Sequence, residues 1–179
     1  IWRQELLDQA GVGMPKDTDD FKRVLQQVTD PQAGQWGIGV DPGVGLGVTT
    51  WLEGTWFGAP NNWRLDAGGK LVKDRETDAY KAAVAYTRDL YAAGYFHPND
   101  VTGNNAQGKT DFAGRKVAFR WDGAASAVQF WDQSAAADPP GKLRITPPFS
   151  APGTQAAFPL GLSSGGFSAL KQASPDRIR

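Results

Sequence analysis

At 179 residues the chain can bury one sizeable core, and its 19 Lys plus Arg against 19 Asp plus Glu leave a formal charge of zero. That balance gives no electrostatic reason to expect nucleic acid or an anionic membrane surface as a partner. Cysteine is absent, which excludes disulfides, thiolate metal sites and a cysteine nucleophile, and no run approaches the ~20 apolar residues of a membrane-spanning helix.

Trp2 to Ala10 predicts a helix with Trp2, Leu6, Leu7 and Ala10 on one side, ended by Gly11 and Gly13. Thr18 offers a hydroxyl to cap a second helix, in which Phe21, Val24, Leu25 and Val28 recur at helical spacing until Asp30-Pro31. Trp36 to Val40 reads as a short strand before the turn Asp41-Pro42-Gly43. Val44, Val48, Trp51 and Leu52 fit a helical stripe interrupted by glycines. Gly58 to Asn62 is loop by composition, and Trp63 to Leu65 with Lys70 to Val72 predict two short strands around Asp66-Ala67-Gly68-Gly69.

Tyr80, Val84, Thr87, Leu90 and Tyr91 share one face of the clearest helix, which Gly94 ends. Tyr95-Phe96-His97-Pro98 then leads into a polar loop running to about Lys109. Val117 to Trp121 predicts a strand, and Gly123 onward a helix through Trp131. Leu143 to Thr146 and Phe167 to Leu170 are the last strand candidates. Ser174-Pro175-Asp176 is a helix start, with a capping serine, a proline at the first helical position and an acid near the positive end. About one turn follows it, whereas an isolated helix needs roughly 12–15 residues to be even marginal in water. With Ile1 rather than Met at the other end, the sequence reads as a piece of a longer polypeptide. Strands alternating with helices predict an α/β or α+β layered domain.

Several passages carry a resemblance. Arg3 to Gly11, then Pro15, then Thr18-Asp19-Asp20-Phe21 resembles the opening of the second lobe in the family 1 extracellular solute-binding proteins. Gly58-Ala59-Pro60-Asn61-Asn62-Trp63 with Asp66 to Leu71, and Tyr80 to Pro98, are similar to the lipoprotein branch of that family. Phe112 to Phe119 looks like the family's glycine-led strand that ends at the cleft. Ala173 to Asp176 resembles the passage that returns to the first lobe. The resemblance implies an α/β fold, one lobe of a type II periplasmic-binding-protein-like architecture with a mixed sheet flanked by helices. Residues 1–179 would form that single second lobe. It further implies an exported protein, lipid-anchored outside this chain, that binds a carbohydrate for an ATP-driven (ABC) importer. No cofactor, metal, nucleic acid or catalytic role is expected.

Sugar binding sets a recipe that the seven tryptophans suit. The C–H faces of a pyranose pack on flat rings of low side-chain entropy, and the hydroxyls need aligned polar partners. In open α/β sheets ligands sit beyond the carboxyl ends of strands. Trp121-Asp122 and Asp41 stand at such ends, although Trp121 could fill the core or a hinge, Asp122 could cap a helix, and Asp41 could simply turn. Trp56 and Trp63 flank a loop, where a ring can stay exposed, with Asn61 and Asn62 between them as ligand donors or turn formers. Trp51 favours packing, Trp36 and Trp131 are assigned to the core, and Trp2 joins them if the first helix docks. His97, the single histidine, is expected at the surface or in a cap. A glycosidase pair among Asp41, Glu53 and Asp122, or a tryptophan-rich protein-interaction face, are the other classes considered.

Overall fold

The computed structural model describes residues 1–40, 50, 53–100, 104–137, 139–146 and 149–155, excluding the side chains of 105, 124 and 125. Expectations for Asp41, the stripe through Trp51, Phe167 to Leu170 and Ser174 to Asp176 fall outside these residues. Within them the order is β1 (Trp2–Arg3), α1 (Gln4–Ala10), α2 (Thr18–Val28), β2 (Trp36–Gly39), β3 (Trp63–Leu65) and β4 (Leu71–Lys73). Then come α3 (Asp78–Ala92), α4 (Asn105–Ala113), β5 (Val117–Arg120), α5 (Ala124–Ala135) and β6 (Leu143–Arg144). No described helix is long and apolar enough to cross a membrane.

A four-stranded mixed sheet runs β2-β5-β1-β6, and β3-β4 form a separate hairpin. β2 and β5 are parallel, with Ile38 opposite Phe119 and Gly39 opposite Arg120. β1 is antiparallel to both β5 and β6. Because Trp2 and Arg3 join the sheet, the first helix begins only at Gln4, two residues later than its periodicity suggests. The backbone of those two residues is committed to partners far along the chain, which overrides the local helical stripe.

Phe21, Val24, Leu25 and Val28 are all buried on α2, as their spacing predicts. Its cap is Asp17 rather than Thr18: the Asp17 carboxylate accepts from the Asp20 amide at 2.8 Å, while Thr18 is buried inside the helix. α3 starts where Thr77 accepts from the Tyr80 amide, and its inner face is Ala83, Thr87 and Leu90. Val84 and Tyr91, predicted on that face, are about half exposed. The predicted polar loop to Lys109 is corrected as well: Asn104 caps α4 by accepting from the Gln107 amide, and the helix runs on to Ala113. Polar composition hid a helix that only its cap announces.

Most of the core lies between the sheet and α1 and α2, with Trp2, Leu7, Phe21, Leu25, Ile38 and Phe119 at its centre. Each such side chain contributes roughly 1.5–3 kcal/mol by leaving water. A smaller cluster of Phe112, Val117, Phe130 and Leu143 fills the opposite side, with Trp36 packed against it. Trp131, assigned above to the core, is 55% exposed on α5. His97, expected at the surface or in a cap, is buried, edge-on to the Trp36 ring at 4.6 Å, and caps the turn that begins at Pro98. Its Nδ1 accepts the Asn99 amide at 3.2 Å, and burial is the main cause that lowers its pKa.

Candidate functional site

The parallel pair positions the site. Gly39 and Arg120 are register partners in parallel strands, so the chain leaves β2 and β5 at the same end of the sheet. Trp121 and Asp122 follow directly, ahead of the α5 N-terminus. In open α/β sheets ligands are held beyond strand ends of this kind.

The Trp121 ring is partly buried, packed at 5.1 Å between centroids against both Trp56 and Phe119. Its Nε1 is buried and has no hydrogen-bond partner. The ring borders a recess of 230 Å³ that Phe119, Asp122, Gly123, Ile145 and Thr146 also line. Ile145 stands 67% exposed at this recess.

Asp122 keeps 16% of its side chain open to solvent. Its Oδ2 accepts from Arg120 Nε at 3.1 Å, and its Oδ1 accepts from the Gly123 amide at 2.8 Å. Burial acts to raise the Asp122 carboxyl, but the Ser126 side chain, Arg120 and the Gly123 amide together hold it below the usual aspartate range. The group is therefore an ionised acceptor at neutral pH. Arg120 lies wholly buried behind it and also donates Nη1 to the Val40 carbonyl at 3.2 Å. Asp100 is the next acid inward, with Oδ2 buried and unpartnered, and burial pushes its carboxyl up to about 7.

The other predicted residues are placed differently. Trp56 is corrected from an exposed loop ring to a core residue, 6% exposed against Phe149 at 4.5 Å and Phe21 at 5.0 Å. It backs Trp121 instead of opening beside it. Trp63 is 54% exposed on the hairpin, with Lys73 Nζ 4.8 Å from its ring centroid. Among the described residues, no ring contact joins Trp63 to Trp56 or Trp121. Asn62 adopts φ 66°, accepts the Asp74 amide through its carbonyl at 2.9 Å, and meets Lys73 Nζ through its side chain. It shapes the turn. Asn61 is partly buried, and its carbonyl accepts from the Trp63 amide at 2.8 Å. Asp41 lies outside the described residues.

Sequence reasoning passed over Arg120 and Asp100. An arginine ending an otherwise apolar strand, Val117-Ala118-Phe119-Arg120, was the available signal, since a buried guanidinium needs partners.

The mixed sheet flanked by helices is the periplasmic-binding-protein-like α/β fold that solved sugar-binding proteins share. The family model for bacterial extracellular solute-binding proteins matches residues 1–174, and the chain belongs to that family. Lipoprotein LipO of Bacillus subtilis (strain 168) is 28% identical over 92% of this chain, which spans 35% of LipO. A sugar transporter of Arthrobacter chlorophenolicus A6, solved with bound laminaribiose, has a TM-score of 0.65 at 16% identity, covering 87% of this chain and 37% of that one. A chitin oligosaccharide binding protein has a TM-score of 0.64 at 20% identity, covering 87% and 38%. The chain thus spans little more than a third of the length of these proteins.

Proposed function

We propose that this chain is one lobe of a two-lobed, exported solute-binding protein that clamps a carbohydrate and presents it to an ATP-driven importer. The observation that carries the reading is Trp121 beside an ionised Asp122 at the shared carboxyl ends of β2 and β5, bordering an open recess. A half-buried indole offers its remaining surface to a sugar's C–H side, and the carboxylate accepts from hydroxyls in charge-assisted bonds. The fold neighbours described as binding laminaribiose and chitin oligosaccharide, and the lipoprotein relative, support the same class and an exported, lipid-anchored parent.

Trp121 and Asp122 are assigned direct contact. Trp63, with Asn61, is assigned a second, more exposed platform, and Asp41, next after Val40 in the sequence, is kept as a candidate ligand contact. Trp56 and Asn62 serve as supports, one behind the Trp121 ring and the other in the hairpin turn. A second lobe would close over the recess by hinge motion. A glycosidase would need two carboxylates, about 5–5.5 Å apart in a retaining enzyme. Among the described residues Asp122 is the single acid lining the recess, and Glu53 is buried against Thr87.

The test is calorimetry on the full-length polypeptide with laminaribiose and chitin oligosaccharides. Micromolar affinity is expected, about −8 kcal/mol. Trp121→Ala should weaken it roughly 10- to 100-fold, about 1.4–2.8 kcal/mol. Silence across a sugar library, or wild-type affinity in Trp121→Ala, would overturn the reading.

A further inference from the structure

Arg120 has more partners than packing requires. It is the last residue of β5, fully buried, and its Nε and Nη1 are directed to Asp122 Oδ2 and the Val40 carbonyl. Its charge also acts on the buried Asp100. One guanidinium therefore ties together the ends of both parallel strands and the carboxylate at the recess. Gly123 and Ser126 hold the Asp122 carboxylate from the α5 side. Among the described residues no lysine or arginine lines the recess.

We infer that Arg120 is a positioning residue that presets Asp122 as an aimed acceptor for sugar hydroxyls, and that the pair makes this lobe select neutral saccharides over anionic ones. The inference rests on the carbohydrate reading above. An ionised carboxylate has about four lone-pair sites, so bonds from Arg120, Gly123 and Ser126 fix its plane and still leave acceptor capacity for a ligand. Fixing it before binding removes an ordering cost from association. Selectivity follows from the same arrangement. Arg120 is covered by Asp122, so an incoming uronate or sugar phosphate meets the negative charge and not the cation behind it. Like charges brought together at a binding face are penalised.

The experiment uses the full-length polypeptide and compares wild type, Arg120→Lys, Asp122→Asn and the double variant. Laminaribiose and its uronic-acid counterpart are the probes, and far-ultraviolet circular dichroism checks the fold. Arg120→Lys is expected to weaken laminaribiose binding about tenfold, and to raise the pH at which affinity is lost. In the Asp122→Asn background the same change should have no further effect, because coupled residues are not additive. Wild type should prefer laminaribiose to the uronate by at least about 100-fold, and Asp122→Asn should narrow that gap. Independent additive losses, or equal binding of the two sugars by wild type, would refute the inference. If wild type binds neither sugar, the functional reading fails by itself. Carboxyl carbon NMR of Asp122, assigned through Asp122→Asn, then decides the role of Arg120. A midpoint that rises in Arg120→Lys supports positioning, and an unmoved midpoint rejects it. Should Arg120→Lys misfold, Arg120→Gln replaces it in every arm.

Discussion

Glu53 shows how far a single residue can depart from its composition. It is a charged residue type with no exposed surface, one oxygen accepting from the Thr87 hydroxyl at 2.5 Å and the other buried without a partner. Burial pushes its carboxyl up to about 8, against the lowering effect of the Thr87 bond. A folded pKa above the unfolded value means stability that is present below the unfolded value of 4.5 and is lost as pH rises through 8. Glu53→Gln should therefore leave the urea midpoint nearly unchanged at pH 5. At pH 9 it should stabilise the chain by about 5 kcal/mol, since each tenfold change in proton affinity between 4.5 and about 8 corresponds to about 1.4 kcal/mol. Equal effects at the two pH values would show that Glu53 is ionised in the folded state throughout. The same scale separates Trp56 from Trp63. Both stand beside one loop in sequence, yet Phe21 and Phe149 enclose the first while the hairpin leaves the second open.

Among the elements, the parallel pair β2–β5 depends on a residue with no side chain. A Cβ placed on Gly39 would come within 2.8 Å of Val117 Cγ2, and one on Gly37 within 2.8 Å of Leu25 Cδ2. Glycine at these positions lets α2 and β5 approach β2 closely, which brings Val40 within reach of Arg120. Gly39→Ala is expected to destabilise the chain by about 1–3 kcal/mol through overpacking. Adding Val117→Ala should cost less than the sum of the two single changes, because they share one contact. Denaturant titration of the four variants measures this, and strict additivity would mean that the strands are held apart by something else. Helices α2 and α3 were legible because a 3.6-residue period is written in near neighbours. α4 was not, since its residues are polar and its start rests on one capping side chain, Asn104.

Across the whole molecule, Arg3 joins parts that are far apart in sequence. Buried to 1% exposure, it donates to the Phe112 and Ala113 carbonyls at the end of α4 and to Ser134 Oγ on α5, and it lies over the Phe112 ring. A cation at a helix C-terminus satisfies orphan carbonyls and meets the negative end of the helix dipole. Arg3→Ala should cost about 3–5 kcal/mol, the usual result of breaking a buried, bonded charge. The urea midpoint should fall with the slope unchanged. A loss under about 1 kcal/mol would mean that water replaces those bonds. In the sequence Arg3 falls inside the predicted first helix, because the strand it belongs to exists only through pairing with β5 and β6.

Local sequence by itself determined the family resemblance, the α/β class, the inner face of α2 and the strand whose end carries Trp121 and Asp122. Those properties depend on residues within a turn or two of one another. Tertiary structure alone decided that Trp2 lies in the sheet, that His97 and Trp56 are enclosed, that Trp131 is exposed, and that Arg120 stands behind Asp122. Burial is set by segments that meet only when the chain closes on itself, whereas Arg120 and Asp122 lie two residues apart and only their enclosure waited on the fold.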